Sequence, residues 1–527
     1  MRRMILTGLL GGLLLPGLQA QDPTRELERE LALGYDLDSI LVAFQPEVDA
    51  DSRAAIADVF GLTHSKTIPA IGVDVFGIPH GEVESIVSAL GTLGEVRFAE
   101  PNYIRRTTFV PNDPQYNQQY GFQRINAEAA WDVTLGNAQV VVAVIDTGLD
   151  QDHPDLAGQR WVNTGEVAGN GVDDDNNGYV DDRFGYDFFG DALFDIIPPG
   201  EAAEDSNPED DNGHGTHTAG TVGAATNNGV GVAGTASGCR VMVVRALGSI
   251  LGFGYSSDII NAMIYAADNG ASVISMSLGS TAFSNAELSA AAYGESLGVF
   301  IVAASGNGGD ATLNYPAGYP QVMAVGATDS NDNIASFSTR GANVEVSAPG
   351  VDVLSTWLSA GYSSVSGTSM ACPHAAGTSA LVRSTDLGMS ASQARVLMQE
   401  TATDLGAAGW DQNYGNGRID AASAVTTAPP SASQVRQFQP GDGSTLNSGS
   451  TPFGFGWTRV PGAGSYTIQV ELPNLQSLLL SNLPENFFYT PQNVWNNAPS
   501  GNYRWRLAAV SPSFQVISIS GWWSFTK

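Results

Sequence analysis

VVAVIDTGLD, at residues 141–150, joins five apolar residues, four of them β-branched, to a polar turn. Such a run is typical of a strand buried on both faces of a parallel sheet, because helices cover both sides of these sheets. A similar apolar run begins IVAASGNGGD at residues 301–310. Open α/β sheets place their sites at the carboxyl ends of strands. We therefore predict a doubly wound α/β domain with a mainly parallel sheet and Asp146 at the end of one strand.

Two further segments supply a base and a hydroxyl. NGHGTHTAG at 212–220 predicts a helix whose first turn carries His214, and SGTSMACPHAAG at 366–377 predicts Ser369 at a helix N-terminus, where unpaired N–H groups favour negative charge. A serine hydroxyl is a poor nucleophile at neutral pH. It needs an imidazole to take its proton and a carboxylate to orient that imidazole. Asp146, His214 and Ser369 together predict this chemistry.

With their flanks, the three motifs resemble the subtilisin-like serine proteases (subtilases) over roughly Pro111 to Ala424. Subtilisin is the standard example of the order Asp, His, Ser along the chain. In chymotrypsin the histidine comes first, and in the α/β-hydrolases the serine comes first. The resemblance implies a serine endopeptidase that cleaves peptide bonds through an acyl-enzyme.

Each residue also has a simpler interpretation. Asp146 alone could be an ordinary strand-end carboxylate, and Ser369 an ordinary helix N-cap. His217, three residues after His214, leaves a two-histidine metal site open, although the H-E-x-x-H glutamate is missing and zinc needs a third ligand. The family motif makes His214 the base and His217 structural. We expect His374 to be packed, because its spacing directs it away from Ser369.

Asn307, in IVAASGNGGD, matches the family's oxyanion-hole asparagine. The resemblance implies that its amide and the N–H of Ser369 bind the oxygen that becomes negative in the tetrahedral intermediate. The alternative is a turn asparagine in a left-handed conformation.

The resemblance also implies substrate contacts. Ser277, Leu278 and Gly279 would form one wall of the primary specificity pocket and an exposed backbone edge, and Gly254 would form the facing edge. A peptide inserted between the edges would bind as an added strand, which tolerates many sequences. Asn314 lies at the pocket base, where several family members have glycine, so the preference at the first subsite stays open.

The amino-terminal region predicts export and processing. Residues 1–20 have early arginines, a short apolar core and a small residue at the end, typical of a signal peptide. We expect secretion to the extracellular space, or to the periplasm. Residues 21–110 mix strand-like and helical segments and resemble a subtilase propeptide, an α+β unit removed by self-cleavage between Arg105 and Asn112. The alternative is an accessory domain that is retained.

The carboxyl-terminal region changes in composition. The catalytic domain would span 111–425, and residues 426–440 are rich in Pro, Ser and Thr, which favours a linker. Short alternating segments over 441–527 predict an all-β sandwich of about seven strands that resembles a fibronectin type III or immunoglobulin-like domain.

The charge excludes one class of partner. The formal net charge is −31, with Lys66 and Lys527 the only lysines, so nucleic-acid phosphates would be repelled. We expect protein or peptide substrates, a monomer, and no membrane segment after the signal. Cys239 and Cys372 are the only cysteines, and we favour free, buried thiols over a disulfide between them.

Two groups of oxygen-bearing side chains suggest structural calcium and no catalytic cofactor. Around Gly178, alternate residues resemble an EF-hand loop that lacks its final glutamate, since Phe184 stands there; a solvated acidic loop is the alternative. A second group matches the calcium ligands of thermitase-like family members. The candidate ligands are Asp173, Asp175, Asn177 and Asp181 in the loop, and Asp113, Asp155 and Asn228 in the second group.

Two other functions compete with peptide hydrolysis. A catalytically silent binding protein on a subtilase scaffold would normally lack one of the four catalytic residues, and none is missing. An α/β-hydrolase esterase needs a catalytic histidine well after its serine, and only His374 follows Ser369.

Overall fold

The computed structural model divides into two compact units, residues 1–107 and 108–527. No helix in the described part of the chain is both long and apolar enough to cross a membrane. The predicted signal peptide at 1–20 lies outside the described residues. The structure describes residues 33–105, 109–190, 204–248, 252–446, 453–474, 476–484, 486–490 and 492–527.

The first unit is an α+β fold, as predicted. Its antiparallel sheet has the order β2-β3-β1-β4. Ile40, Phe76 and Leu90 lie in its core, and the Asp49 carboxylate caps the first helix by accepting a hydrogen bond from the Ser52 N–H at 2.8 Å. The elements are β1 (Tyr35–Phe44), α1 (Ala50–Val59), β2 (Thr63–Ile68), β3 (Val73–Gly77), α2 (Val83–Leu90) and β4 (Val96–Tyr103).

The second unit is built on a seven-stranded sheet in which every neighbouring pair is parallel, in the order β11-β10-β9-β8-β5-β7-β6. This confirms the predicted fold class. The strands are β5 (Val141–Asp146), β6 (Gly185–Asp187), β7 (Arg240–Arg245), β8 (Val273–Met276), β9 (Phe300–Ala304), β10 (Val322–Thr328) and β11 (Val344–Pro349).

Helices cover both faces of the sheet, which explains the continuous apolar run in β5. Val142 and Val144 lie in one core, and Ala143 and Ile145 lie in the other, because successive side chains point to opposite faces. The helices that begin at His214, Thr368, Ala391 and Ala421 contribute to the first core, and those that begin at Ser256 and Asn285 contribute to the second. The helices are α3 (Tyr120–Arg124), α4 (Ala127–Trp131), α5 (His214–Gly223), α6 (Ser256–Asp268), α7 (Asn285–Ser296), α8 (Thr368–Thr385), α9 (Ala391–Glu400) and α10 (Ala421–Thr426). A 3₁₀ turn (Tyr116–Gln118) and an antiparallel hairpin, β12 (Val353–Trp357) and β13 (Gly361–Val365), complete this part.

The chain reverses its direction of winding at β5. It continues from β5 to β6 and β7 on one side of the sheet, and then returns to form β8 on the other side. Such a reversal opens a crevice at the carboxyl ends of the strands. Asp146 ends β5, and Ser277 directly follows β8, so both residues lie at this crevice.

The carboxyl-terminal region forms two further β-sheets around Trp457, Trp505 and Phe525. The described residues of this region contain nine strands rather than the predicted seven or so. The predicted linker at 426–440 is shorter than its composition suggested, because Val435 and Phe438 are buried and β14 already pairs with β16. The elements are β14 (Gln437–Gln439), β15 (Ser444–Thr445), β16 (Phe453–Trp457), β17 (Ser465–Glu471), β18 (Ser477–Leu483), β19 (Phe487–Thr490), α11 (Gln492–Asn497), β20 (Asn502–Val510), β21 (Val516–Ile519) and β22 (Trp523–Thr526).

This β-sandwich packs directly on the parallel-sheet domain. The buried Asn486 side chain donates a hydrogen bond to Glu295 of α7 at 2.7 Å, and the Tyr489 ring contacts Phe283 edge-on at 5.4 Å between centroids. Phe283 also contacts Tyr315, which lies at the crevice. The sandwich therefore supports the outer side of one crevice wall.

Candidate active site

Asp146 is fully buried at the end of β5. Its Oδ1 accepts hydrogen bonds from the Thr147 N–H at 2.8 Å and from His214 Nδ1 at 2.7 Å, and its Oδ2 accepts one from the Thr218 hydroxyl at 3.3 Å. The carboxylate is held in one orientation by donors on two sides. It can therefore fix the tautomer and the plane of the imidazole.

His214 begins α5, and the preceding loop is held by Asp210. The Asp210 carboxylate accepts hydrogen bonds from the N–H groups of Gly213 at 3.0 Å and Thr216 at 2.8 Å, which caps the helix start. Gly215 is required at the second helical position, because a Cβ there would lie 2.3 Å from the Gly148 carbonyl oxygen. This close approach brings the helix start against the end of β5.

Two opposing effects set the pKa of His214. Burial lowers the pKa, but attraction to Asp146, the hydrogen bond to that carboxylate and the charge of Asp210 outweigh it, so the pKa is raised. The imidazole is 28% exposed and lines the crevice. It is therefore placed to exchange a proton with a group bound there.

Ser369 lies in the first turn of α8 and lines the same crevice as His214. Its hydroxyl donates to the Ser277 carbonyl at 3.1 Å, and among the described residues it has no hydrogen bond to His214. Nucleophile–base hydrogen bonds are often looser without substrate than in the reacting complex. The Ser369 hydroxyl must give up its hydrogen bond to the Ser277 carbonyl before His214 can accept its proton.

Asn307 follows β9 by three residues and is exposed to the crevice. Its Oδ1 accepts hydrogen bonds from the Thr368 N–H and hydroxyl, both at 2.9 Å. A backbone N–H can only donate, so these bonds fix which end of the amide is oxygen. The Asn307 NH₂ group therefore remains available to a group bound in the crevice. It lies beside the first turn of α8, whose N–H groups have no acceptors within the helix.

The residues predicted to contact substrate line one crevice of about 550 Å³ together with His214, Ser369 and Asn307. Asn314 uses its NH₂ group internally, since it donates to the carbonyls of Ser305 and Thr312, both at 3.1 Å. The predicted substrate residues that the structure brings to the crevice are Gly254, Ser277, Leu278, Gly279 and Asn314.

His217, His374 and the two cysteines are buried structural groups. His217 and His374 hydrogen-bond the Val353 and Met370 carbonyls, both at 2.9 Å, and burial lowers the pKa of each to about 4. Cys239 and Cys372 are free thiols, as the sequence predicted. Burial raises the pKa of Cys372 to about 11, so this thiol stays protonated.

Sequence reasoning missed two carboxylates that belong to this site. Asp210 orders the start of α5, and an aspartate shortly before a predicted helix is a recognisable capping signal. Glu287 also lines the crevice, although it is only 7% exposed. The sequence marks Glu287 only as the last residue of a helix-capping pattern that starts at Ser284, and its place at the crevice depends on the packing of α7 beside α6.

The second predicted calcium group, Asp113, Asp155 and Asn228, comes together in the structure. Asn228 donates a side-chain hydrogen bond to Asp155 at 2.9 Å, and its N–H donates to Asp113 at 3.2 Å. Burial raises the pKa of Asp113, and the negative charge of Asp155 raises it further. Hydrogen bonds from backbone N–H groups lower the pKa, but they do not outweigh burial. Two buried carboxylates close enough to repel each other are oxygen donors that suit a divalent cation.

The carboxylate cluster at the acidic loop contains two of the four predicted ligands, Asp173 and Asp175, and one residue that was not predicted, Glu166. Carboxylate oxygens of Glu166, Asp173 and Asp175 lie within 4.8 Å of one another, whereas Asp181 stands outside this cluster. The Asp181 carboxylate instead accepts hydrogen bonds from the N–H groups of Asn170 at 3.0 Å and Gly171 at 2.9 Å. Asn177 folds back on the loop, since its N–H donates to Asp173 at 3.1 Å. The EF-hand pattern covers only twelve residues, starting here at Asp173. It therefore could not identify Glu166, which lies before that loop, as a candidate ligand.

Comparison with known proteins places this geometry in a family. The sequence profile of the subtilase family (Peptidase S8) matches residues 137–417, more than half of the chain. The chain belongs to the subtilase family. Like its homologues, this subtilase is a serine endopeptidase, and residues 29–102 match the fervidolysin N-terminal prodomain.

Two relatives and one solved structure illustrate how far the similarity extends. This subtilase is 38% identical over 393 residues to a thermophilic serine proteinase of Bacillus sp. strain AK1. The aligned region covers 74% of this chain and 88% of the relative. It is 39% identical over 432 residues to the halolysin-like extracellular serine protease Nep of Natrialba magadii, 81% of the chain and 68% of the relative. A protease structure from Pseudoalteromonas arctica aligns with a TM-score of 0.52 and 31% identity, over 60% of this chain and 99% of that one.

Proposed function

We propose that this subtilase hydrolyses peptide bonds through an acyl-enzyme on Ser369, with His214 as base and Asp146 as its orienting carboxylate. The observation that carries the proposal is the 2.7 Å hydrogen bond between His214 Nδ1 and Asp146, in a crevice that Ser369 also lines. Because Nδ1 is committed to Asp146, Nε2 is the ring nitrogen left to take a proton.

The steps follow from these positions. Nε2 of His214 takes the Ser369 proton as Oγ attacks the peptide carbonyl, and the imidazolium is stabilised by Asp146. The oxyanion accepts hydrogen bonds from the Asn307 amide and the Ser369 N–H. His214 returns its proton to the leaving amine, and it then activates the water that releases the acyl group.

We propose that substrate binds as an extended strand between Gly254 and the backbone of Ser277 to Gly279. Main-chain hydrogen bonds would supply affinity with little dependence on sequence, and the pocket at Asn314 would receive the side chain next to the scissile bond. The Asn314 NH₂ group already donates hydrogen bonds to the Ser305 and Thr312 carbonyls. We therefore expect the size of the substrate side chain in this pocket to matter more than its charge.

We further propose that the protein is secreted and matured by its own activity. Residues 1–20 would be removed as a signal peptide, and the propeptide, 21–110, would be a partner of the enzyme until cleavage between Arg105 and Asn112. The prodomain match at 29–102 and the extracellular relative support this order of events. The catalytic domain would then span 111–425 and act as a monomer.

Calcium is proposed as a structural ion at both oxygen-rich sites. Asp113, Asp155 and Asn228 would hold one ion, and Glu166 with Asp173 and Asp175 would hold a second. Bound calcium would neutralise buried carboxylates and brace these loops, with no part in the proton transfers.

The test is expression of the full precursor beside its Ser369→Ala variant, with calcium present. We expect the wild-type protein alone to hydrolyse casein and to acquire a new N-terminus near Asn112. The His217→Ala variant is a matched control, which should retain activity if it folds. Casein hydrolysis by Ser369→Ala, or normal maturation of that variant without another protease, would refute the proposal.

A further inference from the structure

Glu287 is a buried carboxylate that opens onto the substrate crevice. It lies in the first turn of α7 and is 7% exposed. Its Oε1 accepts a hydrogen bond from the Ser256 hydroxyl of α6 at 2.5 Å, and its Oε2 accepts one from the Tyr319 hydroxyl at 3.1 Å. These bonds hold the carboxylate in place at the crevice wall.

The charge of Glu287 has no countercharge in this wall. Within the described residues both side-chain partners are neutral hydroxyls, and no Lys, Arg or His pairs with it. Burying a carboxylate without a cation is costly, and the N-terminus of α7 compensates only part of that cost. A cation that enters the crevice would therefore gain from contact with Glu287.

The surroundings suit a long basic side chain. Ile259 and Leu278 line the crevice with Glu287 and present apolar surface. The methylene stem of arginine or lysine packs well on such surface, while its charged head reaches a carboxylate. Leu278 belongs to one proposed substrate edge, and Ser256 follows the other edge at Gly254 by two residues. A peptide held between these edges therefore passes Glu287.

The chain itself contains a fitting substrate. Adjacent arginines occur twice in the sequence, and one pair, Arg105 and Arg106, stands at the start of the segment in which maturation is expected. Cleavage after Thr108 or Phe109 would make Arg105 or Arg106, respectively, the fourth residue upstream of the scissile bond.

We propose that Glu287 makes this subtilase select peptides that carry arginine or lysine a few residues upstream of the scissile bond. The inference rests on the proposed function, because it concerns a subsite of the same crevice. Glu287 acts here in substrate selection and takes no part in the chemical steps.

The test compares peptide substrates that differ at one position, scanned over the second to fifth residues upstream of the scissile bond, with arginine, its neutral isostere citrulline, or norleucine. At one position we expect the wild-type enzyme to show a kcat/KM at least about tenfold higher for arginine than for citrulline, since hydrogen bonds to charged groups have this magnitude. We expect Glu287→Gln to remove this difference between arginine and citrulline. The advantage of arginine should also shrink in 1 M salt.

Glu295→Gln is the matched control, because Glu295 lies on the same helix, is also buried and faces the β-sandwich through Asn486. It should keep the preference for arginine. Equal rates for arginine and citrulline at every position in the wild-type enzyme would overturn the inference even if Glu287→Gln fails to fold, and so would a preference that survives in Glu287→Gln. If no peptide is cleaved in a Ser369-dependent way, the proposed function itself has failed, and the inference with it.

Discussion

The Ser277 hydroxyl donates a 2.7 Å hydrogen bond to the carbonyl of Ser369, the group that α8 itself leaves without a partner. In a regular helix that carbonyl accepts the N–H of the fourth following residue, which here is Pro373 and has no N–H. The Ser369 hydroxyl donates in turn to the Ser277 carbonyl at 3.1 Å. The end of β8 thus holds the first turn of α8 at the crevice.

We predict that Ser277→Ala destabilises the protein by about 1–3 kcal/mol, because it leaves the partly buried Ser369 carbonyl unpaired. Pro373→Ala restores the missing N–H, so the double variant should be less unstable than the sum of the single changes. Thermal unfolding in a Ser369→Ala background, which prevents self-digestion, measures both. Additive effects would show that the two residues do not share this carbonyl.

The pH dependence of kcat/KM should report the raised pKa of His214. The base works as neutral imidazole, so activity is lost as pH falls through a pKa above the ordinary value of 6.5. Asp146→Asn removes the attraction that raises this pKa, so the acidic limb should move to lower pH. We also expect kcat to fall about ten-thousandfold, as in a trypsin-type triad. An unmoved limb would assign it to another group.

Asn307→Ala should lower kcat while KM changes little, because in the proposed mechanism the amide stabilises charge that exists only in the transition state. Loss of the equivalent donor in subtilisin itself costs about a hundred- to a thousandfold in kcat, and we expect the same range here. Asn314→Ala, on the same crevice, is the comparison and should change KM and side-chain preference more than kcat. A normal kcat in Asn307→Ala would exclude it as an oxyanion donor.

Calcium binding should distinguish Glu166 from Asp181. Calcium at about 100 times its Kd should stabilise the wild-type protein by about 2.7 kcal/mol per site, and chelation should remove this gain. We expect Glu166→Gln to reduce the calcium-dependent rise in melting temperature and Asp181→Asn to leave it largely intact, since Asp181 stands outside the cluster. The reverse pattern would favour the EF-hand-like ligand set read from the sequence.

The β-sandwich should stabilise the catalytic domain. Tyr489→Ala removes the ring that contacts Phe283 and should cost about 2–3 kcal/mol through the cavity it leaves. Leu479→Ala, which changes a side chain that is 65% exposed on the same sandwich, is the control and should have almost no effect. The melting temperature of the Ser369→Ala precursor measures both. Equal melting temperatures would mean that the sandwich is an independent appendage.

The local sequence was sufficient for the fold class and for the positions of the catalytic candidates. The apolar run ending at Asp146 and the helix start at His214 each need only a few neighbouring residues to specify their structure. The short strand β2 was not predicted, because every one of its residues is exposed and no alternation of apolar and polar residues marks it.

Contacts between distant segments could not be predicted in this way. Glu166 joins Asp173 and Asp175 through the fold of the loop, and Glu287 reaches the crevice through helix packing. The bond from Ser277 to the Ser369 carbonyl joins residues 92 positions apart. The missing N–H of Pro373 is visible in the sequence, but the hydroxyl that replaces it is not.

Covalent labelling of the nucleophile tests the central claim most directly. The calcium-loaded enzyme is treated with a fluorophosphonate, and the modified residue is located by peptide mass spectrometry. We expect a single adduct on Ser369, formed at a rate that rises as pH increases through the pKa of His214. We expect no adduct in Ser369→Ala or in the precursor whose propeptide has not been cleaved. Loss of activity with an adduct on another residue, or full peptidase activity with Ser369 unmodified, would contradict this account.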